Sequence, residues 1–149
     1  MSASRRHPRL RFDKAAFERL FRVLEDSTGP KPPAGTLSIV FLDDDQLARI
    51  HAKFLGDPAP TDVITFPGFA PENFAGEICV SCDRAASESR KRGIPFAREL
   101  TLYLIHGWLH LAGFDDHTSN DRRDMRRAER RLLAILDKYD AIPGFRLAP

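Results

Sequence analysis

The stretch from residue 106 to residue 117 constrains the fold of this chain more than any other. His106 and His110 lie four residues apart in a strongly apolar run, and residues at that spacing share one face of an α-helix. Apolar residues occupy most positions around them, so this helix should be buried at the centre of the domain. Gly113 then ends the helix and turns the chain back.

Beyond that turn, an Asp-Asp-His sequence supplies further side chains that bind metals. Two imidazoles on a helix and a third ligand from the turn make the three-ligand set of a catalytic zinc site, which keeps one position open. The spacing His-x3-His-x2-Gly-x2-Asp puts Asp116 where the zincins with a glycine turn carry their third ligand. We therefore predict that His106, His110 and Asp116 bind Zn²⁺, with His117 as the alternative third ligand.

Three other interpretations of these residues remain open. The two histidines can be buried structural residues of an apolar helix. Cys79 and Cys82 can join His106 and His110 in a closed structural zinc site, although the gap between the pairs exceeds that of a zinc finger. Cysteines three apart on a strand also face opposite sides of the sheet. A zinc peptidase is disfavoured, because Gly107 stands where such enzymes carry a glutamate general base.

The composition of the chain limits which class of protein it can belong to. The chain has 149 residues, of which 42% are hydrophobic and 30% charged, and this suits one domain with a substantial core. No apolar run approaches the roughly 18 residues of a membrane span, and the basic N-terminus lacks the apolar segment of a signal peptide. We therefore expect a cytoplasmic protein that does not act at a membrane.

Basic residues are concentrated in a few places, although the net charge is only +2. They occur near the N-terminus, at residues 90–92 and along the last predicted helix. Acidic neighbours partly neutralise the last helix, so a phosphate-binding surface and an ordinary solvated face both fit the sequence. The arginines of this helix are Arg122, Arg123, Arg126, Arg127, Arg130 and Arg131.

The predicted elements are those of a single α+β domain over residues 1–149, with a small mixed sheet of about four strands covered by helices. Strands are predicted at residues 9–12, 36–42, 61–67 and 75–81. Asp13 is the predicted N-cap of the first helix, and Ser119 or Asn120 that of the last. The tail from Pro143 is expected to be loosely held.

Several ordered motifs in this chain resemble those of a known family. Residues 106–115 read His-Gly-x-Leu-His-Leu-x-Gly-Phe-Asp, residues 61–67 read Thr-Asp-Val-Ile-Thr-Phe-Pro, and residues 76–80 read Gly-Glu-Ile-Cys-Val. Together they resemble the YbeY family of bacterial rRNA maturation endoribonucleases. The resemblance implies a mixed sheet with helices, one of which carries two zinc ligands. It also implies zinc-dependent cleavage of single-stranded RNA in 16S rRNA 3′-end maturation and ribosome quality control. The implied partners are ribosomal RNA and the small ribosomal subunit, and no organic cofactor is implied.

Two positions depart from the family pattern. The third ligand, usually His, is Asp116 here, and Leu55 replaces an arginine that is often tied to catalysis. Lys53 or an N-terminal arginine is a candidate for the missing basic group. The sequence identifies no general base, and Asp115 and His117 are the nearest candidates. The alternative function is a ribosome-assembly RNA-binding factor whose zinc is structural.

Overall fold

The computed structural model describes residues 1–55 and 62–149, with only the backbone at Leu55. The predicted turn at 56–60, Thr61 and the side chain of Leu55 lie outside the described residues. The helices are α1 (Lys14–Asp26), α2 (Asp44–Leu55), α3 (Cys82–Arg92), α4 (Phe96–Leu111) and α5 (Ser119–Lys138). The strands are β1 (Ser2–Arg5), β2 (Leu10–Arg11), β3 (Thr36–Leu42), β4 (Val63–Phe69), β5 (Phe74–Ser81) and β6 (Arg146–Leu147).

Four strands form a mixed sheet in the order β1-β3-β5-β4. β1 and β5 run parallel to β3, whereas β4 runs antiparallel to β5. This confirms the predicted α+β class and the small mixed sheet. The predicted strand at 9–12 is only the short β2, which pairs with β6 outside this sheet. The fourth strand is instead β1, whose polar sequence Ser-Ala-Ser-Arg lacks the apolar alternation typical of a half-buried strand.

The helices divide unequally between the two faces of the sheet. α1, α4 and α5 cover one face and enclose the main hydrophobic core, while α2 covers a smaller apolar cluster on the other face. α4 is buried along most of its length, as predicted. At Gly107 it lies against β5 so closely that a Cβ there would be 2.5 Å from Ile78 Cγ2. None of the described helices is both long and apolar enough to cross a membrane.

Two expectations about the C-terminal third of the chain are wrong. Thr118 caps α5, because its side chain accepts from Asp121 N at 3.0 Å and the Asp121 carboxylate accepts from Thr118 N in return. The tail is held by the β2–β6 pair and by Phe145, which is 4% exposed. The Phe145 ring packs 5.3 Å from that of Phe12, since aromatic residues from both ends of the chain share one part of the core.

Candidate metal centre

The end of α4 returns the chain toward the two histidines. Gly113 has a φ of 103°, a conformation that favours glycine. The Phe114 amide then donates to Leu109 O at 2.9 Å, closing the helix end. Residues 114–116 therefore run back past the last turn of α4, which is the reversal that the glycine position predicts.

Three ligand atoms from α4 and this turn converge on one point. The Nε2 atoms of His106 and His110 are 3.0 Å apart. Asp116 Oδ2 lies 3.5 Å from the first and 3.4 Å from the second. Among the described residues, these three side chains form one of two groups whose ligand atoms all lie within 4.8 Å of one another.

The other ring nitrogens show which atoms of the imidazoles are available. His110 Nδ1 lies 3.1 Å from the carbonyl oxygen of Phe114, which can only accept, so Nδ1 donates. His106 Nδ1 lies 3.2 Å from a carboxylate oxygen of Glu129 and donates in the same way. In the neutral imidazoles both Nε2 atoms then present lone pairs to each other and to the Asp116 carboxylate. A cation among these three atoms removes their mutual repulsion, so the donor set fits a metal ion.

Glu129 is a site residue that the sequence analysis missed. Its side chain is 14% exposed and reaches His106 from α5, whereas the sequence suggested only that it neutralises neighbouring arginines. A signal was available in the sequence. Position 129 is four residues after Met125 and three before Leu132, two residues of the buried face of α5.

The surroundings of His106 favour its charged form. Burial lowers the pKa of His106, but the hydrogen bond to Glu129 and the negative charges of Glu129 and Asp116 outweigh burial and leave the pKa raised. The same negative charges attract a metal cation. A metal ion at Nε2 would take the place of the proton that these charges favour.

The structure does not bring His117 to the two helical histidines. Its side chain is 81% exposed, and its Nε2 lies 3.1 Å from Asp115 Oδ1. Asp115, Asp116 and His117 form the second group of potential ligands, in which Asp115 and His117 are exposed. Both nearest candidates for a general base, Asp115 and His117, thus lie on the exposed side of the turn.

The two cysteines lie on opposite faces of the sheet. Cys79 belongs to the cluster beneath α2, and Cys82 belongs to the main core. Both thiols are free, and burial raises the pKa of each to about 12. Among the described residues, no group of potential ligands combines a cysteine with the histidines. The geometry therefore argues against the four-ligand structural zinc site.

The arginines of α5 form an exposed surface whose first member, Arg122, contacts the turn of the site. All six are exposed, and among the described residues no carboxylate lies within 4.0 Å of any of them. Arg122 Nη1 donates to His117 O at 3.1 Å and to Asp116 O at 3.4 Å, which ties α5 to the turn. These exposed arginines are therefore available to anionic groups, and Arg122 is the one shown next to the turn that carries Asp116.

Comparisons with known proteins agree with this picture. A family model described as endoribonuclease YbeY matches residues 4–137. The endoribonuclease YbeY of Rhodopseudomonas palustris is 30% identical over 138 residues, which cover 88% of this chain and 73% of that protein. The endoribonuclease YbeY of Sinorhizobium medicae is 36% identical over 119 residues, which cover 74% of this chain and 71% of that protein. The fold also matches the solution structure of TM1509 from Thermotoga maritima, with a TM-score of 0.63 and 23% identity over 94% of this chain and 92% of that one. The chain therefore belongs to the YbeY family of endoribonucleases.

Proposed function

We propose that this chain is a metal-dependent endoribonuclease of ribosomal RNA in which His106, His110 and Asp116 hold a Zn²⁺ ion. The observation that carries the proposal is the convergence of three ligand atoms within 4.8 Å of one another in a member of the YbeY family. Two imidazole nitrogens and one carboxylate oxygen are ligands that zinc accepts, and catalytic zinc sites take three ligands from the protein. Residues 1–149 act as one domain in this proposal.

Asp116 is the preferred third ligand over His117. Its carboxylate lies within 3.5 Å of both Nε2 atoms, whereas the His117 side chain is turned to solvent and pairs with Asp115. Asp has a shorter side chain than the histidine usual in the family. The hydrogen bonds from Arg122 to the carbonyl oxygens of residues 116 and 117 support a turn held close enough for it.

Zn²⁺ in this site would supply Lewis acidity toward a phosphodiester group. The protein's own residues have separate tasks. Glu129 fixes the ring orientation and tautomer of His106, so that Nε2 keeps its lone pair directed into the site. The arginines of α5 bind phosphate groups beside the site and hold the RNA strand there. RNA carries its own potential nucleophile in the 2′-OH, so the chain need not provide one.

The substrate that fits best is single-stranded RNA of the small ribosomal subunit. Its backbone is flexible enough to bring a phosphate to a half-exposed site, and the exposed arginines match its charge. The family resemblance supports 16S rRNA 3′-end maturation and ribosome quality control as the process, and such a substrate implies a cytoplasmic location.

Metal analysis together with an RNA cleavage assay tests the proposal. We expect about one zinc per chain in the wild type. His106→Ala and His110→Ala should each lose both the zinc and the cleavage of single-stranded RNA. Asp116→Ala should lower the zinc affinity far more than His117→Ala, which serves as the matched control on the same turn. Full zinc content in both histidine variants, or a larger loss in His117→Ala, would contradict the assignment.

The same experiment separates the enzyme from an RNA-binding factor with a structural zinc. If zinc is structural, its removal should unfold the chain and the wild type should not cleave RNA. If the proposal holds, Asp116→Ala should stay folded by circular dichroism while cleavage is lost. Cys79→Ser and Cys82→Ser should leave the zinc content unchanged, because neither thiol lies with the histidines.

The arginine surface is tested by the salt dependence of RNA binding. Replacing Arg122, Arg123, Arg126 and Arg127 by Ala should reduce the slope of log K against log salt by up to about 3, since each phosphate contact to a single strand contributes about 0.7. Lys14→Ala with Arg22→Ala on α1 is the matched control and should change neither affinity nor slope. An unchanged slope in the quadruple variant would leave α5 without a role in RNA binding.

A further inference from the structure

A second basic surface lies on the opposite face of the sheet from α4. α2 packs there over an apolar cluster that includes Leu42, Ile50 and Phe66. Beside α2 is a cavity of about 350 Å³, at the lower end of the range that holds small ligands. We call this the Phe54 surface, and it consists of Arg6, Arg49, Lys53 and Phe54 over Leu42 and Ile50.

The cations of the Phe54 surface have no anionic partner in the part of the chain that the structure describes. Arg6, Arg49 and Lys53 are all exposed, and none has a carboxylate within 4.0 Å there. Arg49 and Lys53 are four apart on α2, where like charges destabilise a helix, and Arg6 adds a third charge from the segment after β1. Three cations gathered around one cavity match a polyanion.

An exposed aromatic ring stands among these charges. Phe54 is 58% exposed, and the Lys53 ammonium lies 5.3 Å from its ring centroid. Phe66 of β4 meets the ring nearly edge-on, with the centroids 5.5 Å apart, and thereby limits its orientation. An oriented, solvent-exposed ring flanked by cations is the arrangement on which proteins stack the bases of single-stranded nucleic acids.

We propose that the Phe54 surface is a second contact for single-stranded RNA, in which Phe54 stacks on an unpaired base and Arg6, Arg49 and Lys53 bind the adjoining phosphates. The inference rests on the proposed function, because its ligand is the RNA substrate proposed there. β4 is an edge strand that contacts α4, and Phe66 of the same strand lies in the cluster beneath α2. β4 therefore adjoins α4, which carries the two helical histidines, and also the cluster beneath the Phe54 surface.

Fluorescence anisotropy tests this inference, with the zinc-loaded chain and a labelled, unstructured 12-nucleotide RNA whose 2′-OH groups are methylated so that they cannot serve as nucleophiles during the measurement. Phe54→Ala should weaken binding by at least about fivefold, the lower end for loss of one base–aromatic stack. Phe54→Trp should restore it. Arg6→Ala, Arg49→Ala and Lys53→Ala combined should lower the salt slope by about 2, at about 0.7 for each phosphate contact.

The chain offers a matched control at the end of α5. There the Lys138 ammonium lies 5.5 Å from the ring centroid of Tyr139, which is 50% exposed. Lys138→Ala and Tyr139→Ala should leave RNA affinity and salt slope unchanged. Equal losses in this pair and in the Phe54 variants would mean that any exposed cation–aromatic pair contributes, and would overturn the assignment.

The readouts keep this inference separate from the proposed activity. If the wild type cleaves RNA but the Phe54 and cation variants bind it as tightly as the wild type, the inference fails and the activity stands. If the wild type does not cleave RNA but the variants still lose binding, the activity fails and the contact stands. If the variants bind naked RNA normally but no longer bind the small ribosomal subunit, the surface contacts a protein partner and the RNA contact is overturned.

Discussion

Gly107→Ala tests how closely α4 must approach β5 to position the histidines. The added Cβ would lie 2.5 Å from Ile78 Cγ2 and 3.1 Å from two further atoms of that side chain. Ile78 is fully buried and has no open space into which to move. The helix must therefore shift away from the sheet, and it carries the neighbouring His106 with it.

The magnitude follows from two opposing effects. Alanine in place of glycine favours a helix by about 1 kcal/mol, while forcing a methyl group into a packed core costs about 1–3 kcal/mol. The net effect should be a loss of up to about 2 kcal/mol in the free energy of unfolding. When Ile78 is also replaced by Ala the clash is removed, so the same Gly107→Ala change should become stabilising by about 1 kcal/mol.

Urea unfolding of the four proteins in this double-mutant cycle, with zinc chelated so that metal binding does not contribute, measures the effect. The Ile78→Ala single variant should itself lose about 2–5 kcal/mol and serves as the reference background. A Gly107→Ala protein that is more stable than the wild type would refute the reasoning. So would a coupling energy within about 0.5 kcal/mol of zero.

Two further predictions concern residues around the site and in the core. Glu129→Gln should weaken zinc binding by about 10–100-fold in a chelator competition assay, because His106 loses its charged orienting partner. Asp124→Asn on the exposed side of the same helix should bind zinc like the wild type. Equal zinc affinities in the wild type and both variants would exclude an orienting role for Glu129. Cys79 and Cys82, whose pKa values burial raises to about 12, should not react with a thiol reagent at pH 8, because the thiolate forms only as the pH approaches that value. Rapid modification of the folded protein would contradict this.

The parts of the fold and site that could be predicted are those encoded by local patterns. The i,i+4 histidines and the glycine after them predict a helix end that turns back, and the structure has that reversal at Gly113. The apolar runs of β3 and β5 predict buried strands, and both lie at the centre of the sheet. In these cases each residue's neighbours along the chain also determine its environment in space.

The parts that could not be predicted depend on contacts between distant segments. β1 is polar, and its parallel pairing with β3 brings together residues 36 positions apart, such as Ser2 and Ser38. The ring of Phe145 is buried against the rings of Phe12 and Phe41, which are far from it along the chain. Glu129 becomes a partner of His106 only through the packing of α5 against α4. No local pattern encodes the relative placement of two helices.

The pairing of β2 with β6 also affects when this fold can form during synthesis. Leu10 pairs with Leu147, and the Ala148 amide donates to Arg9 O at 2.7 Å. These contacts span nearly the whole described chain, so they cannot form until residue 148 has been translated. At about 5–20 residues per second, residues 1–12 wait roughly 7–27 s for their partner. During that interval the apolar side chain of Leu10 lacks its native cover, and a chaperone that binds exposed hydrophobic segments would have time to reach the nascent chain.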